Sequence, residues 1–185
     1  ESRSTKSHIL KALLKALQAK SPETEEHALR MQKLAEKLGE SINLSTSEKD
    51  RLILVASLHD IGKTVISESI LKKTGKLTET EWKIVKKHPN TGYRICSSTE
   101  EFSHVAEEIL SHHEKWDGTG YPRGLKRERI PLLSRIIAIV DAYDVMTNGR
   151  PYKKTISQEE ALNELKRCAG SQFDPELVEK FIELM

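Results

Sequence analysis

The sequence predicts an all-α fold assembled as a bundle of helices. Three observations carry this expectation. Apolar residues recur at helical intervals in segment after segment, capping residues and prolines stand at the segment ends, and no period-two apolar alternation runs long enough for a strand. The chain has 185 residues, of which 37% are hydrophobic and 31% charged, enough for one core under a solvated surface.

Ile9, Leu13, Leu14 and Leu17 repeat at helical spacing in a basic segment and predict an amphipathic lead-in helix. A second helix is expected from Thr24 to Leu38, opened by Ser21-Pro22 and closed by Gly39. Ser45 or Ser47 should start a third, apolar on nearly every side from Leu52 to Leu58 and therefore central. A loop around Lys72 to Thr78 precedes a helix from Glu79 to Lys87, which Pro89 is expected to stop. Another helix is expected over Glu101 to Glu114. The Gly- and Pro-rich stretch from Trp116 to Pro131 reads as irregular, and Pro131 opens a second central helix to Met146. Two shorter helices, Ser157 to Cys168 and Pro175 to Leu184, complete the chain.

Several function classes are disfavoured at once. A net charge of +2 does not suit a general DNA binder. The longest apolar run, Ile136 to Val140, is far short of the ~20 residues of a membrane span. Cys96 and Cys168 form no pairing motif and read as small buried hydrophobes in a reducing, cytoplasmic setting. The first residue, Glu1, is not methionine, so residues 1–20 are expected to link an upstream domain to a catalytic domain at 21–185, with the lead-in helix offering a dimer contact.

The chemistry lies in where imidazoles and carboxylates fall on this map. His59-Asp60 ends the most apolar helix, His88 and His112-His113 stand near helix ends, and Asp141 lies inside an apolar helix. A lone buried histidine is more often a hydrogen-bonded core residue than a ligand. Here the groups occur together, and a carboxylate buried without a partner would cost several kcal/mol, so a metal centre drawn from several helices is the better reading. Imidazole and carboxylate ligands without cysteine favour Fe or Mn over structural zinc. Neighbours on a helix diverge by about 100°, so His112 and His113 should bracket a metal from two directions, or one should be the ligand and the other its support. A carboxylate such as Asp60 can bridge two ions, a pairing that suits phosphate-ester hydrolysis.

Specific strings then align in order. His59-Asp60-Ile61-Gly62-Lys63, His88-Pro89 with Thr91-Gly92, His112-His113-Glu114, Trp116-Asp117-Gly118-Thr119-Gly120-Tyr121-Pro122, Ile130-Pro131, Asp141-Ala142-Tyr143-Asp144 and Arg150-Pro151-Tyr152-Lys153 together resemble an HD-GYP domain, a subgroup of the HD phosphohydrolases. The resemblance spans about Ser21 to Phe181 and implies an HD-type helical bundle with a metal centre in its core. It further implies that His59, Asp60, His88, His112, His113 and Asp141 ligate metal, with Asp60 bridging, and that His27 of Thr24-x-x-His27-x-x-Arg30 accompanies them. Glu23, four residues before His27, corresponds to the carboxylate of members with a third ion, so two or three divalent ions are expected. Lys63 is expected to contact bridging solvent or a phosphate, Arg150 and Lys153 to hold substrate phosphates, and Asp144 to orient Lys63 or a ligand. Asn148-Gly149 departs from the family's common Ser-Asp, and Lys153 stands where an arginine also occurs.

The implied activity is hydrolysis of cyclic di-GMP to linear pGpG, with GMP from a second round. Hydrolysis of cyclic GMP-AMP, a metal-stabilised nucleotide sensor and a general HD nucleotidase are the rivals. Tyr121-Pro122 reads either as a stiffener of the loop over the site or, with Gly120, as a contact for a diguanylate cyclase partner. Trp82 and Trp116 read as core and loop anchors rather than base-stacking platforms, and His8 and His104 as surface or packing residues.

Overall fold

The computed structural model describes residues 2–149 and 154–185, with side chains from His8 onward. Among the described residues there are ten α-helices and no strand: α1 (Ser2–Lys20), α2 (Glu25–Ser41), α3 (Thr46–Leu58), α4 (Glu68–Leu71), α5 (Glu79–Val85), α6 (His88–Ser97), α7 (Ala106–Leu110), α8 (Leu132–Asn148), α9 (Gln158–Arg167) and α10 (Pro175–Leu184). Short 3₁₀ turns cover Ile61–Val65, Ser103–Val105 and Arg127–Arg129.

Local chemistry explains most of the helix starts. Ser45 with Glu48, Thr78 with Glu81 and Ser157 with Glu160 each form a reciprocal capping box that satisfies two otherwise orphaned N–H groups. Asp174 caps α10, with Pro175 behind it. The core lies where α2, α3 and α8 pack on one another. Met31, Leu38, Leu52, Leu58, Ile136, Ile137 and Ile139 are completely enclosed there, and Phe181 of α10 closes one side. Ile9, Leu10, Leu13 and Leu14 of α1 rest partly buried on this core.

Five expectations need correction. Helix α2 is capped by Thr24, whose hydroxyl accepts the His27 N–H at 3.2 Å, not by Ser21. It also runs past Gly39, where a Cβ would meet Leu44 and Leu52 at 3.1 and 3.2 Å; the glycine admits close packing and is no helix stop. Pro89 begins a helix, α6, because its missing N–H costs nothing in a first turn, whereas α5 already ends at Val85. The helix expected over Glu101 to Glu114 shrinks to α7. Its continuation would need the Glu108 and Ile109 carbonyls, which accept instead the Ser134 hydroxyl at 2.8 Å and His112 Nδ1 at 2.5 Å. Finally, Trp82 is 48% exposed and is no core anchor. Trp116 does anchor its loop, its N–H donating to the Gln172 carbonyl at 3.1 Å. Cys96 is buried and burial pushes its thiol up to about 11, while Cys168 is only half-buried.

One crossing positions the site. The 3₁₀ turn after Asp60 lies against α6 so closely that a Cβ on Gly62 would stand 1.9 Å from the His88 carbonyl oxygen and 2.7 Å from the Gly92 nitrogen. Both obstacles are backbone and cannot rotate away. Gly62→Ala is therefore expected to destabilise the fold by about 2 kcal/mol or more, measured by denaturant unfolding. Wild-type stability in that variant would show that the contact is looser than described.

Candidate metal centre

Four of the five histidines that the sequence nominated as ligands or their companions are aimed by a hydrogen bond at the outer nitrogen. His59, the residue capping α3, donates from Nδ1 to the Ala56 carbonyl at 2.9 Å. His88 does the same to Val85 at 2.7 Å and His112 to Ile109 at 2.5 Å. A carbonyl only accepts, so Nδ1 carries a proton in all three and Nε2 turns inward. His27 is held by a carboxylate instead, Nδ1 lying 2.6 Å from Asp144 Oδ2. Arg30 grips that carboxylate with two bonds, at 2.6 and 3.0 Å, and Asn148 adds a third at 3.0 Å. Asp144 therefore orients a candidate ligand rather than Lys63.

The inward atoms gather into two groups, Asp60 with His88, His112 and His113, and His27 with His59 and Asp141. Within each group the ligand atoms lie within 4.8 Å of one another. Asp60 stands between them. Its Oδ1 is 3.0 Å from His88 Nε2 and 3.6 Å from His112 Nε2, while Oδ2 is 3.2 Å from His59 Nε2. His112 and His113 both belong to the first group, their ring centroids 4.1 Å apart. The divergence expected of helical neighbours does not apply, because α7 ends at Leu110 and the pair follows in a turn.

These residues fit divalent cations. His27 Nε2, His59 Nε2, Asp60 Oδ1 and Asp141 Oδ1 are buried and make no hydrogen bond. Leaving each such atom unsatisfied costs about 1–3 kcal/mol. His88 and His112 also point their Nε2 atoms at each other across 3.2 Å, a repulsive approach of lone pairs unless a cation lies at hand. Burial lowers His112 to about 4, and burial with the neighbouring His112 and His88 holds His113 well below the usual imidazole range, so both are neutral donors. Burial would also lower His59, but the Asp60 carboxylate, then Asp141 and Glu23, outweigh it and raise the ring to about 9. Positive charge is favoured on that side of the centre.

Lys63 is buried and donates to Asp60 Oδ2 at 2.8 Å and to Glu23 Oε1 at 2.6 Å. Burial would raise Asp60, yet Lys63 and then His59 hold it well below the carboxylate range. Glu23 precedes the Thr24 cap, so it lies outside the helix that was expected to align it with His27, and it joins neither ligand group. Burial and the Asp60 charge raise its carboxyl. Arg150 and Lys153 lie outside the described residues.

Sequence reasoning gave no role to Arg30 or Glu114, two residues that shape the centre. Arg30 was visible in the spacing Thr24-x-x-His27-x-x-Arg30, one turn beyond His27. Glu114 is buried and accepts the Arg123 and Leu125 N–H groups at 2.7 and 3.0 Å, folding the following loop back over the histidines. At Gly120 a Cβ would meet the Lys115 nitrogen at 2.3 Å, so only glycine lets that loop close down. Tyr121 then stacks on His113, ring centroids 5.0 Å apart and planes 17° from parallel, with Lys86 Nζ over the tyrosine ring at 5.3 Å. The tyrosine roofs the site. A cavity of about 900 Å³ opens from Glu23, His27 and Lys63 toward Trp82, and another of about 370 Å³ adjoins His113, Tyr121 and Asp141.

The comparisons with known proteins agree with this geometry. A family model described as the HD domain matches residues 11–177. The chain is 39% identical over 178 residues to a cyclic di-GMP phosphodiesterase of Thermotoga maritima, covering 95% of this chain and 48% of that protein. It is 40% identical over 183 residues to a 3'3'-cGAMP-specific phosphodiesterase of Vibrio cholerae, covering 98% of this chain and 35% of the relative. It thus spans half or less of the length of these relatives. The crystal structure of a cyclic GMP-AMP-specific phosphodiesterase of V. cholerae superposes with a TM-score of 0.72 at 25% identity, over 96% of this chain and 48% of that one. With the helical fold, the clustered histidines and the Gly120-Tyr121-Pro122 loop all in place, the chain belongs to the HD-domain family and, within it, to the HD-GYP group.

Proposed function

We propose that this domain holds two divalent metal ions, one at each group of ligands, and hydrolyses a phosphodiester of a cyclic dinucleotide, cyclic di-GMP first. The observation that carries the reading is Asp60. One oxygen faces His88 and His112 and the other His59, in a core where four candidate ligand atoms lack a hydrogen bond. The family and the activities named for its relatives support the same reaction, and the relatives include both cyclic di-GMP and 3'3'-cGAMP enzymes. Cyclic GMP-AMP is therefore the second substrate to assay. The histidine-carboxylate set without cysteine favours Fe or Mn. Glu23 is assigned to Lys63 and not to a third ion.

Bound divalent ions would supply Lewis acidity, acidifying water and neutralising charge that builds on the phosphodiester. The chain's own residues do the rest. Lys63 stabilises Asp60 as the anion and keeps its second oxygen oriented. Asp144 and Arg30 fix the His27 tautomer, so that its free nitrogen faces Asp141. Tyr121 shields His113 from water on one side. Arg150 and Lys153 are assigned to the substrate phosphates, giving linear pGpG and, after a second round, GMP. No described helix is long and apolar enough to cross a membrane, and with both cysteines free we place the enzyme in the cytoplasm.

Metal and activity should fall together in Asp60→Ala. Elemental analysis is expected to drop from two ions per chain to one or none, with turnover of cyclic di-GMP lost; folded, metal-replete and active variant would rule out the bridging role. Asp144→Asn should leave the fold intact but misdirect His27. Support of this kind is worth about 10–100-fold in metal affinity, measured by competition with a chelator, and an unchanged affinity would mean that His27 is not a ligand.

A further inference from the structure

We infer that Trp82 is the stacking wall for one purine base of the cyclic dinucleotide. The inference rests on the reading of the centre as a cyclic-dinucleotide site and adds a residue that recognises the ligand at a distance from the metals. Trp82 is 48% exposed, an unusual position for an indole, and it lines the same cavity of about 900 Å³ whose inner end holds Glu23, His27 and Lys63. That volume lies within the range of about 300–1,000 Å³ usual for small-molecule pockets.

The helix that carries the indole is held firmly. Trp82 sits on α5, one turn before Val85, whose carbonyl orients the candidate ligand His88. The Thr78–Glu81 capping box fixes the start of α5, and Lys73 reaches across to Glu81 at 2.7 Å, tying the facing loop to the same helix. Leu71 and Leu77 extend the apolar wall beside Trp82, and Lys76 adds positive charge to it. That combination matches the ligand's chemistry. A cyclic dinucleotide carries two phosphates in a ring and two flat bases, so seating one phosphodiester at the centre sends a base outward. An outward base needs an aromatic face, and the remaining phosphate needs cations. Stacking reads any purine, so Trp82 contributes affinity without choosing between guanine and adenine.

The test is made on the metal-loaded chain. Trp82→Ala should raise KM for cyclic di-GMP and for 3'3'-cGAMP by about tenfold each, with kcat changed far less and metal content unaltered, while Trp82→Phe should restore most of the loss. In Trp116→Phe protein, where Trp82 is the one remaining tryptophan, a phosphorothioate analogue of cyclic di-GMP should quench the fluorescence saturably. Unchanged KM in Trp82→Ala, or binding of the analogue without quenching, overturns the inference while leaving the metal-centre reading in place. Wild-type protein that binds metal but turns over neither dinucleotide overturns both, and is told apart by the failure of the parent protein.

Discussion

Asp60 is a carboxylate only 2% exposed, lodged among imidazoles whose outer nitrogens are bound to backbone carbonyls and whose inner nitrogens face it. Everything around it answers the electrostatic problem this creates. Isolated, such a group would neutralise itself by taking a proton. Lys63 prevents that from one side, and the outer hydrogen bonds of His59, His88 and His112 keep their inner nitrogens free on the other. The result is a pocket rich in donors and poor in partners, which suits divalent cations.

The helices are arranged to deliver ligands to that point and to hold the surrounding backbone still. Helix α3 brings His59 and Asp60 in at its end, and the glycine crossing at Gly62 lets α6 bring His88 alongside. The truncation of α7 follows from the same demand. Its last carbonyls are diverted to Ser134 and His112, and the chain then turns so that two consecutive histidines reach one site. Glu114 and Gly120 fold the next loop over them, and the core of α2, α3 and α8 keeps His27 and Asp141 opposite. Stability and the candidate site meet in these contacts, because each fixes the backbone from which a candidate ligand projects.

Much of this was legible beforehand. The all-α class, the central helices α3 and α8 and the capped starts of α9 and α10 follow from periodicity and capping residues, which act over a few residues. The metal-ligand candidates were legible because buried charge among apolar residues demands an explanation. What periodicity misread was set by contacts distant in sequence. Gly39 looked like a stop but packs on Leu52, and Pro89 looked like a stop but opens a helix. Trp82 looked like core because indoles usually are, and only the tertiary arrangement leaves it on the wall of a cleft. Glu23 was placed by helical spacing on a face that does not exist, since the helix begins after it.

The central claim is that one carboxylate joins two metal ions in this core. Electron paramagnetic resonance of the protein loaded with Mn(II) tests it most directly, because bridged manganese ions couple magnetically and separated ones do not. The account predicts two manganese ions per chain with the spectrum of a coupled pair. A simple six-line spectrum of isolated Mn(II) at full loading would contradict it.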